Sequence, residues 1–217
     1  MPDIAVTFDD GYLSHFRTAQ ILKALGVRAT FFLVTGLSEW NGEPLLTRRP
    51  LLIKEISRMG HEIGSHTVSH PNMTTLGDER AAQELVESKR SLEELTSAEI
   101  QGFAYPYGRF DESTRELVSR YYKYARAAQD SGTGIFDRYS IGVKHAGRNL
   151  AYCSMLRPGD TVSNRMGYVL LFHSMPERFL LIWIRYLQSL GARFVTLRQL
   201  VAIWAKLPTR RGVQVKN

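Results

Sequence analysis

Residues Ile4-Ala5-Val6-Thr7-Phe8-Asp9-Asp10-Gly11 carry an apolar β-strand pattern that runs directly into two carboxylates and a glycine. Adjacent carboxylates repel one another unless one binds a cation and the other holds a proton or a cationic partner. Gly11 permits a sharp exit from the strand, which would turn both side chains into a cleft. Taken alone, however, the pair favours an ordinary strand-to-helix turn with an aspartate as N-cap.

The same alternation of strand and helix patterns continues along the chain. Strand patterns occupy residues 4–8, 29–34, 62–65, 102–105, 122–127, 168–172 and 194–196, and helical patterns occupy 13–25, 48–59, 77–97, 111–121, 177–190 and 197–206. This alternation predicts a parallel sheet covered by helices, and about seven such units favour a barrel over an open sheet. Residues 130–165 show little periodicity.

The composition fits one globular α/β domain. The chain has 217 residues, of which 44% are hydrophobic, and this excludes a disordered chain, a collagen-like fibre or a disulfide scaffold. Cys153 is the single cysteine, so it forms no intrachain bridge. The N-terminus lacks the pattern of a signal peptide, and the apolar run from Phe179 to Ile184 is far shorter than the roughly 20 residues of a membrane span. We therefore expect a soluble, cytoplasmic protein.

The positive charge is concentrated near the C-terminus. The formal net charge is +7, and residues 161–217 hold nine Lys/Arg and one acid, which makes that segment +8 and the rest −1. Such asymmetry favours a phosphate-bearing substrate, a membrane surface or nucleic acid. A solvated basic face with a frayed tail explains it equally well. No nucleic-acid-binding module is present, so we expect no nucleic-acid partner. The predicted domain spans residues 1–207, followed by a basic tail over 208–217.

A histidine pair follows the third predicted strand, in His66-Thr67-Val68-Ser69-His70. Histidines four residues apart share one face of a helical turn, and a loop can also bring both to one ion. The zincin motif requires Glu after the first histidine, and Thr67 stands there, so a metalloprotease is excluded. The pair would need a third ligand and a separate base, and Asp9-Asp10 offers both. We assign His61 a structural role.

Three later strands also end in polar residues. In Tyr105-Pro106-Tyr107-Gly108 the backbone N–H of Tyr107 is placed to act as an oxyanion donor, although the stretch also fits an ordinary turn. His173 follows a buried apolar strand, where it is either a core histidine or an acid that protonates a leaving group. Arg126 ends the strand pattern 122–127. In an α/β barrel all these strand ends lie together.

These motifs together resemble the polysaccharide deacetylase family, also called the NodB-homology or carbohydrate esterase four family. Thr7-Phe8-Asp9-Asp10-Gly11 matches the first family motif and His66-Thr67-Val68-Ser69-His70 the second. Tyr105-Pro106-Tyr107-Gly108 fits the third less fully, and Leu171-Phe172-His173 fits the closing motif. The likeness runs from Thr7 to about Trp204. It implies an irregular (β/α) barrel, usually of seven strands.

The resemblance also implies a role for each matching residue. Asp10, His66 and His70 correspond to the metal ligands. Asp9 corresponds to the catalytic base and His173 to the general acid. The Tyr107 amide corresponds to the oxyanion donor, and Leu171 to part of the pocket for the acetyl methyl group. One carboxylate and two imidazoles form the three-ligand set of a catalytic Zn²⁺. Co²⁺, Ni²⁺ or Fe²⁺ could occupy the same ligands.

Two departures from the family pattern matter. The third motif usually begins with an arginine that supports the base, and Ala104 stands there. Our hypothesis is that Arg126 replaces it from the next strand. The fourth motif, an aspartate followed by a tryptophan, has no clear counterpart, and Asp130 or Asp137 is the candidate to orient His173.

The expected function is therefore metal-dependent removal of an N-acetyl group from an amino sugar or its conjugate, with a phosphate-linked substrate suiting the basic segment. A sugar deformylase or cyclic-amide hydrolase on the same scaffold is the first alternative. A non-catalytic sugar-binding pseudoenzyme is the second, because of Ala104 and the missing fourth motif. The helix between Phe179 and Leu190 is apolar on more than one face, which predicts either a deep core position or a homo-oligomer interface.

Overall fold

The computed structural model describes residues 3–128, 137–145 and 168–206. Strands and helices alternate along these residues. In chain order they are β1 (Asp3–Phe8), α1 (His15–Ala24), β2 (Thr30–Leu33), β3 (Glu39–Trp40), β4 (Glu43–Pro44), α2 (Leu51–Arg58), β5 (Glu62–Ser65), α3 (Asp78–Thr96), β6 (Gly102–Ala104), α4 (Glu112–Tyr121), β7 (Tyr124–Arg126), β8 (Lys144–His145), β9 (Tyr168–Phe172), α5 (Glu177–Ser189), β10 (Arg193–Val195) and α6 (Leu197–Trp204).

The main sheet is parallel, and it curls into a partial barrel. Its strand order is β7-β6-β5-β2-β1-β9-β8, and β10 pairs with the first half of β1. Residues 137–145 lie between the two edges, because Ile141 forms a bridge to Arg126 while β8 pairs with β9. The expectation of an irregular, seven-stranded (β/α) barrel is confirmed, with β8 as a short addition.

Alternate residues of each strand face two different cores, as the two-residue period of a strand requires. Ile4, Val6 and Phe8 of β1 pack with the helices on the outer side. Ala5 of β1 belongs to the inner cluster, into which α6 inserts its apolar face. The inner cluster contains Ala5, Phe32, Ala104, Tyr124, Ile141, Val143, Val169, Leu171, Val195, Leu197, Leu200 and Val201.

Buried polar groups hold α6 against the amino-terminal edge of the sheet. Glu62 accepts hydrogen bonds from the Tyr124 hydroxyl at 2.7 Å, the Thr30 hydroxyl at 2.9 Å and the Arg198 amide at 3.0 Å. The amide of Leu197 donates to Thr30 Oγ1 at 2.8 Å. An acidic group at a helix N-terminus satisfies free N–H groups and complements the helix dipole. This edge is therefore closed, and the opposite edge carries the exposed loops.

Helix α5 covers the sheet with one face. Leu180, Trp183, Ile184 and Leu187 are buried, which accounts for much of the helix's apolar surface. Ile182 is 46% exposed on the other side. Its use as a subunit interface stays a prediction.

The predicted elements agree with the observed ones within three residues at each end. The hairpin β3–β4 and the strand β8 were not predicted. No helix in the described ranges is long and apolar enough to cross a bilayer. Asp130, Cys153 and the predicted tail 208–217 lie outside the described residues.

Candidate active site

Polar side chains from five strands meet at the carboxyl edge of the sheet. Because the strands are parallel, their following loops share that edge. The site residues expected from the sequence are found there: Asp9 and Asp10 after β1, His66 and His70 after β5, Tyr107 after β6, Arg126 at the end of β7 and His173 after β9.

Asp10, His66 and His70 form a buried cluster of one carboxylate and two imidazoles. Asp10 Oδ1 lies 3.6 Å from His66 Nε2 and 3.4 Å from His70 Nε2, and the two Nε2 atoms are 3.2 Å apart. A tetrahedral ion with bonds of about 2.0–2.1 Å holds its donor atoms about 3.3 Å apart. The three separations therefore suit one small divalent cation.

A hydrogen bond sets the orientation of the His66 ring. Its Nδ1 lies 2.8 Å from the carbonyl oxygen of Ala104, so Nδ1–H donates to that oxygen. The lone pair of Nε2 then points toward Asp10 and His70. Metal-binding histidines characteristically make such a bond through the nitrogen that does not bind the metal.

Burial and the cluster's own charges shift the pKa values of its members. Burial lowers the pKa of His70 to about 4, and the charge of His66 acts in the same direction. Burial would raise the pKa of Asp10, but the hydrogen bond and charge of His66 hold it well below its usual range. The pKa of His66 is raised because the Asp10 contacts outweigh burial. The site thus favours a neutral His70 and an ionised Asp10.

Several site residues have a left-handed backbone conformation, which is disfavoured for residues with a Cβ atom. Asp10 has φ +71°, Thr67 +71°, His70 +56° and Tyr107 +58°, and these are four of the six non-glycine residues with positive φ in the described chain. Left-handed backbone costs free energy for residues with a Cβ atom and persists only where the surroundings determine it. The surrounding contacts therefore hold these loops in shape.

Asp9 faces a different partner from Asp10. Its side chain is buried, and Arg126 Nη2 lies within hydrogen-bond distance of both carboxylate oxygens. Arg126 is itself fully buried, donates from Nη1 to the Ala127 carbonyl at 3.0 Å, and stacks over the Phe32 ring at 5.2 Å. The Asp9 amide donates to Phe172 O at 3.2 Å, which fixes its backbone.

The small side chain at position 104 leaves space for this guanidinium. Ala104 and Arg126 are paired directly across β6 and β7, so their side chains leave the same face of the sheet. Both are fully buried. An arginine at either position would reach the same region of the cleft.

Two aromatic rings flank His70. The Trp40 ring lies 4.5 Å from the imidazole, and the Tyr107 ring lies 4.7 Å from it in an edge-to-face arrangement. Tyr107 is 55% exposed, so it forms a wall of the cleft. Trp40 lies on β3 of the hairpin, which also binds the His173 loop through Ser174 and Glu43, 2.9 Å apart.

His173 and Leu171 lie at the end of β9. His173 is exposed, and its charge contributes to the low pKa of Asp10, so it lies at the rim of the cleft. Leu171 is buried and pairs with Thr7 of β1. Both residues therefore lie at the end of the strand beside β1, the strand that Asp9 and Asp10 follow.

Two other polar residues have structural partners. Asp137 is held by Arg115 through contacts of 3.0 and 3.2 Å, so it is not available to orient His173. His61 accepts from the Ala29 amide at 3.2 Å, and its other ring nitrogen lies 3.0 Å from Ala19 O. Burial lowers its pKa, which fits a neutral ring that stabilises the fold.

Sequence reasoning missed Trp40 and Glu84. Asn41-Gly42 is a strong signal for a two-residue hairpin turn, and it could have located β3 and β4. Glu84, on α3, binds the loop between the two histidines. In the sequence, Glu84 looks like any other glutamate of a predicted helix, so only the tertiary contacts show its role.

The sequence is similar to that of known deacetylases. A sequence model described as polysaccharide deacetylase matches residues 1–125. Peptidoglycan-N-acetylglucosamine deacetylase of Bacillus cereus is 32% identical over 114 residues, which are 51% of this chain and 38% of that protein. Chitooligosaccharide deacetylase of Sinorhizobium fredii is 30% identical over 111 residues, which are 49% of this chain and 47% of that protein. These matches span less than half the length of these relatives.

Structural similarity extends over the rest of the chain. The Xyl-CE4 domain of a multidomain xylanase from the hindgut metagenome of Trinervitermes trinervoides superposes with a TM-score of 0.68 at 19% identity, covering 99% of this chain and 97% of that one. The likeness shows a shared fold. Arg126 and His173 lie beyond the family match of residues 1–125.

Proposed function

The chain belongs to the polysaccharide deacetylase family, and from this we propose that it is a metal-dependent hydrolase that removes an N-acetyl group from an amino sugar or its conjugate. The observation that carries the proposal is the cluster of Asp10, His66 and His70 beside a second carboxylate, Asp9, that is held by Arg126.

The donor set suits a catalytic zinc ion. Asp10, His66 and His70 would hold it, leaving positions for water and substrate. When bound, such an ion polarises an amide carbonyl and lowers the pKa of water from about 15.7 towards about 7. Co²⁺, Ni²⁺ and Fe²⁺ accept the same ligands, and metal analysis distinguishes them.

Asp9 and Arg126 would act as base and support. Asp9 takes the proton from the attacking water, and a base must lie within hydrogen-bond reach of that proton. Its contact with Arg126 fixes the carboxylate and stabilises its charge in a buried position. Arg126 would thus replace the arginine that the third family motif lacks at Ala104.

The remaining residues would bind the acyl group and release the amine. The N–H of Tyr107 donates to the oxyanion, a contribution worth about 3 kcal/mol for donors of this type. Leu171 contributes apolar surface for the acetyl methyl group. His173, at the exposed rim, donates a proton to the leaving amine.

The substrate is proposed to be an N-acetylated sugar, as the printed names of the B. cereus and S. fredii relatives indicate for those proteins. Residues 161–217 contain nine basic residues and one acid, and this positive charge would suit a phosphate-linked form of such a sugar. We expect KM for a phosphorylated substrate to rise strongly with salt. KM for a neutral oligosaccharide should not change.

The decisive experiment combines metal analysis with a product screen. Purified protein is analysed for bound metal and then tested for acetate and formate release from N-acetylated and N-formylated sugars. Stoichiometric zinc with acetate release supports the proposal. Formate release alone would identify a deformylase, and tight sugar binding without turnover in metal-loaded protein would identify a pseudoenzyme.

A further inference from the structure

The loop that carries both histidines is held in a strained shape. Thr67 and His70 adopt positive φ values of +71° and +56°. This bend is what brings the two Nε2 atoms within 3.2 Å of each other. Since left-handed backbone is disfavoured at residues with a Cβ atom, contacts from outside the loop must maintain it.

One carboxylate supplies three such contacts. Glu84 Oε2 accepts hydrogen bonds from the Val68 amide at 2.7 Å and the Ser69 amide at 2.9 Å. Glu84 Oε1 accepts one from the Ser69 hydroxyl at 2.6 Å. Hydrogen bonds to an ionised acceptor are shorter and stronger than neutral ones. The side chain therefore clamps the middle of the loop to α3.

The opposite side of the loop is tied to the segment that follows β2. The Gly36 amide donates to Val68 O at 2.8 Å, and the Thr35 amide donates to Thr67 O at 3.2 Å. Within the loop, the His70 amide donates to Thr67 Oγ1 at 3.0 Å. The peptide groups at Val68 are thus fixed from both sides, and Glu84 is the charged member of this set.

Among the described residues, the Glu84 carboxylate has hydrogen-bond partners in this loop alone. In the described part of the chain no lysine or arginine forms an ion pair with its carboxylate, whereas Glu93 and Glu94, farther along α3, pair with Lys89 and Arg90. All its observed hydrogen bonds go to the loop. An ordinary solvent-facing helix glutamate would not make three contacts to one distant segment.

We propose that Glu84 is a positioning residue for the metal site: its carboxylate holds the loop so that His66 and His70 converge on Asp10. The inference rests on the proposed function, because it assumes that these three residues bind a metal. Glu84 contacts neither the metal nor the substrate. Its effect is on the geometry of the ligands, as for other groups that orient metal-binding side chains.

The test measures metal affinity separately from turnover and from folding. Zn²⁺ affinity is determined by competition with a chromophoric chelator for wild type, Glu84→Gln, Glu84→Asp and the matched control Glu87→Gln, which alters an exposed glutamate on the same helix. Glutamine keeps the size of the side chain but loses the charge and one acceptor oxygen. We expect Glu84→Gln to weaken Zn²⁺ binding about 10- to 100-fold. Glu84→Asp should recover part of the affinity, and Glu87→Gln should match wild type.

Thermal unfolding of the metal-free proteins separates positioning from general destabilisation. Should Glu84→Gln fail to fold, Ser69→Ala removes a single bond of the clamp and should weaken Zn²⁺ binding to a smaller degree. If Glu84→Gln folds and binds Zn²⁺ as tightly as wild type, the inference is overturned and the proposed function stays intact. If Glu84→Gln does not fold, wild-type Zn²⁺ affinity in Ser69→Ala has the same consequence. A wild-type protein that binds no metal would overturn both.

Discussion

At the level of single residues, the two adjacent carboxylates after β1 face different partners, which reduces their mutual repulsion. Asp9 contacts the guanidinium of Arg126, and Asp10 faces the two imidazoles. The left-handed backbone of Asp10, φ +71°, turns its side chain away from that of its neighbour. The proposed base and the proposed metal ligand are thus adjacent residues with different charge partners.

Asp9→Asn should keep the metal and lose turnover. The amide is close in size and still accepts hydrogen bonds, but it cannot take a proton from water. We expect kcat to fall about 10²- to 10⁴-fold with unchanged zinc content, measured by acetate release and metal analysis. Asp10→Asn is the contrasting variant and should lose zinc as well. An active Asp9→Asn enzyme would show that another group is the base.

Arg126→Ala should reduce turnover far more than metal content. It leaves the Asp9 carboxylate buried without its partner, which costs about 3–5 kcal/mol for a buried ion pair. The double variant Arg126→Ala/Ala104→Arg should regain part of the activity and stability, because the two positions are paired across β6 and β7.

Ala104→Arg alone serves as the control for that exchange. It should destabilise the protein, since a second buried cation would compete for the same space. A double variant no better than Arg126→Ala would contradict the idea that the arginine has moved between strands. Wild-type turnover in Arg126→Ala would remove this residue from the site.

At the level of elements, the helices and the strands of three or more residues could be predicted, and the two-residue strands could not. Hydrophobic periods predicted strands over 4–8 and 168–172 and a helix over 77–97. The structure has the corresponding elements at Asp3–Phe8, Tyr168–Phe172 and Asp78–Thr96. The strands of the β3–β4 hairpin have two residues each, too few for a period. Their position depends on pairing within the fold.

The β3–β4 hairpin carries a testable part of the cleft. Trp40 and the exposed Tyr107 ring both lie beside His70. We predict that Trp40→Ala raises KM for an N-acetylated oligosaccharide about two- to tenfold, as expected for loss of one aromatic contact. kcat and zinc content should change little, and Trp40→Phe should retain most of the affinity. Steady-state kinetics with an unchanged KM would place the sugar elsewhere.

At the level of the whole molecule, the sequence predicted which residues gather at the carboxyl edge but not how they are held. Position after a strand selected Asp9-Asp10, His66 and His70 as candidates, and the family resemblance then singled out Asp10 as the expected third ligand. The contacts that orient them come from Ala104 O and Glu84, which are distant in sequence. Such partners carry no local pattern, because backbone carbonyls and helix-surface glutamates occur throughout any chain.

Buried histidines should also make the whole fold sensitive to acid. His15 is fully buried among Phe8, Tyr12 and Phe31, and neither ring nitrogen has a hydrogen-bond partner within the described structure. Burial lowers its pKa to about 4, whereas an unfolded chain has a histidine pKa of about 6.5. Between these values the unfolded state binds the extra proton, so stability falls as the pH decreases.

His15→Phe should therefore reduce acid sensitivity, because phenylalanine keeps the ring contacts and carries no titratable group. Relative to pH 7, wild type should lose about 3 kcal/mol more than the variant by pH 4, following from about 1.4 kcal/mol per unit of pKa difference. The measurement is urea unfolding at several pH values with a chelator present, so that metal release from His66 and His70 does not contribute. Since His61 and His70 titrate in both proteins, the difference between the two curves isolates His15. Parallel curves for wild type and variant would show that folding does not lower the pKa of His15.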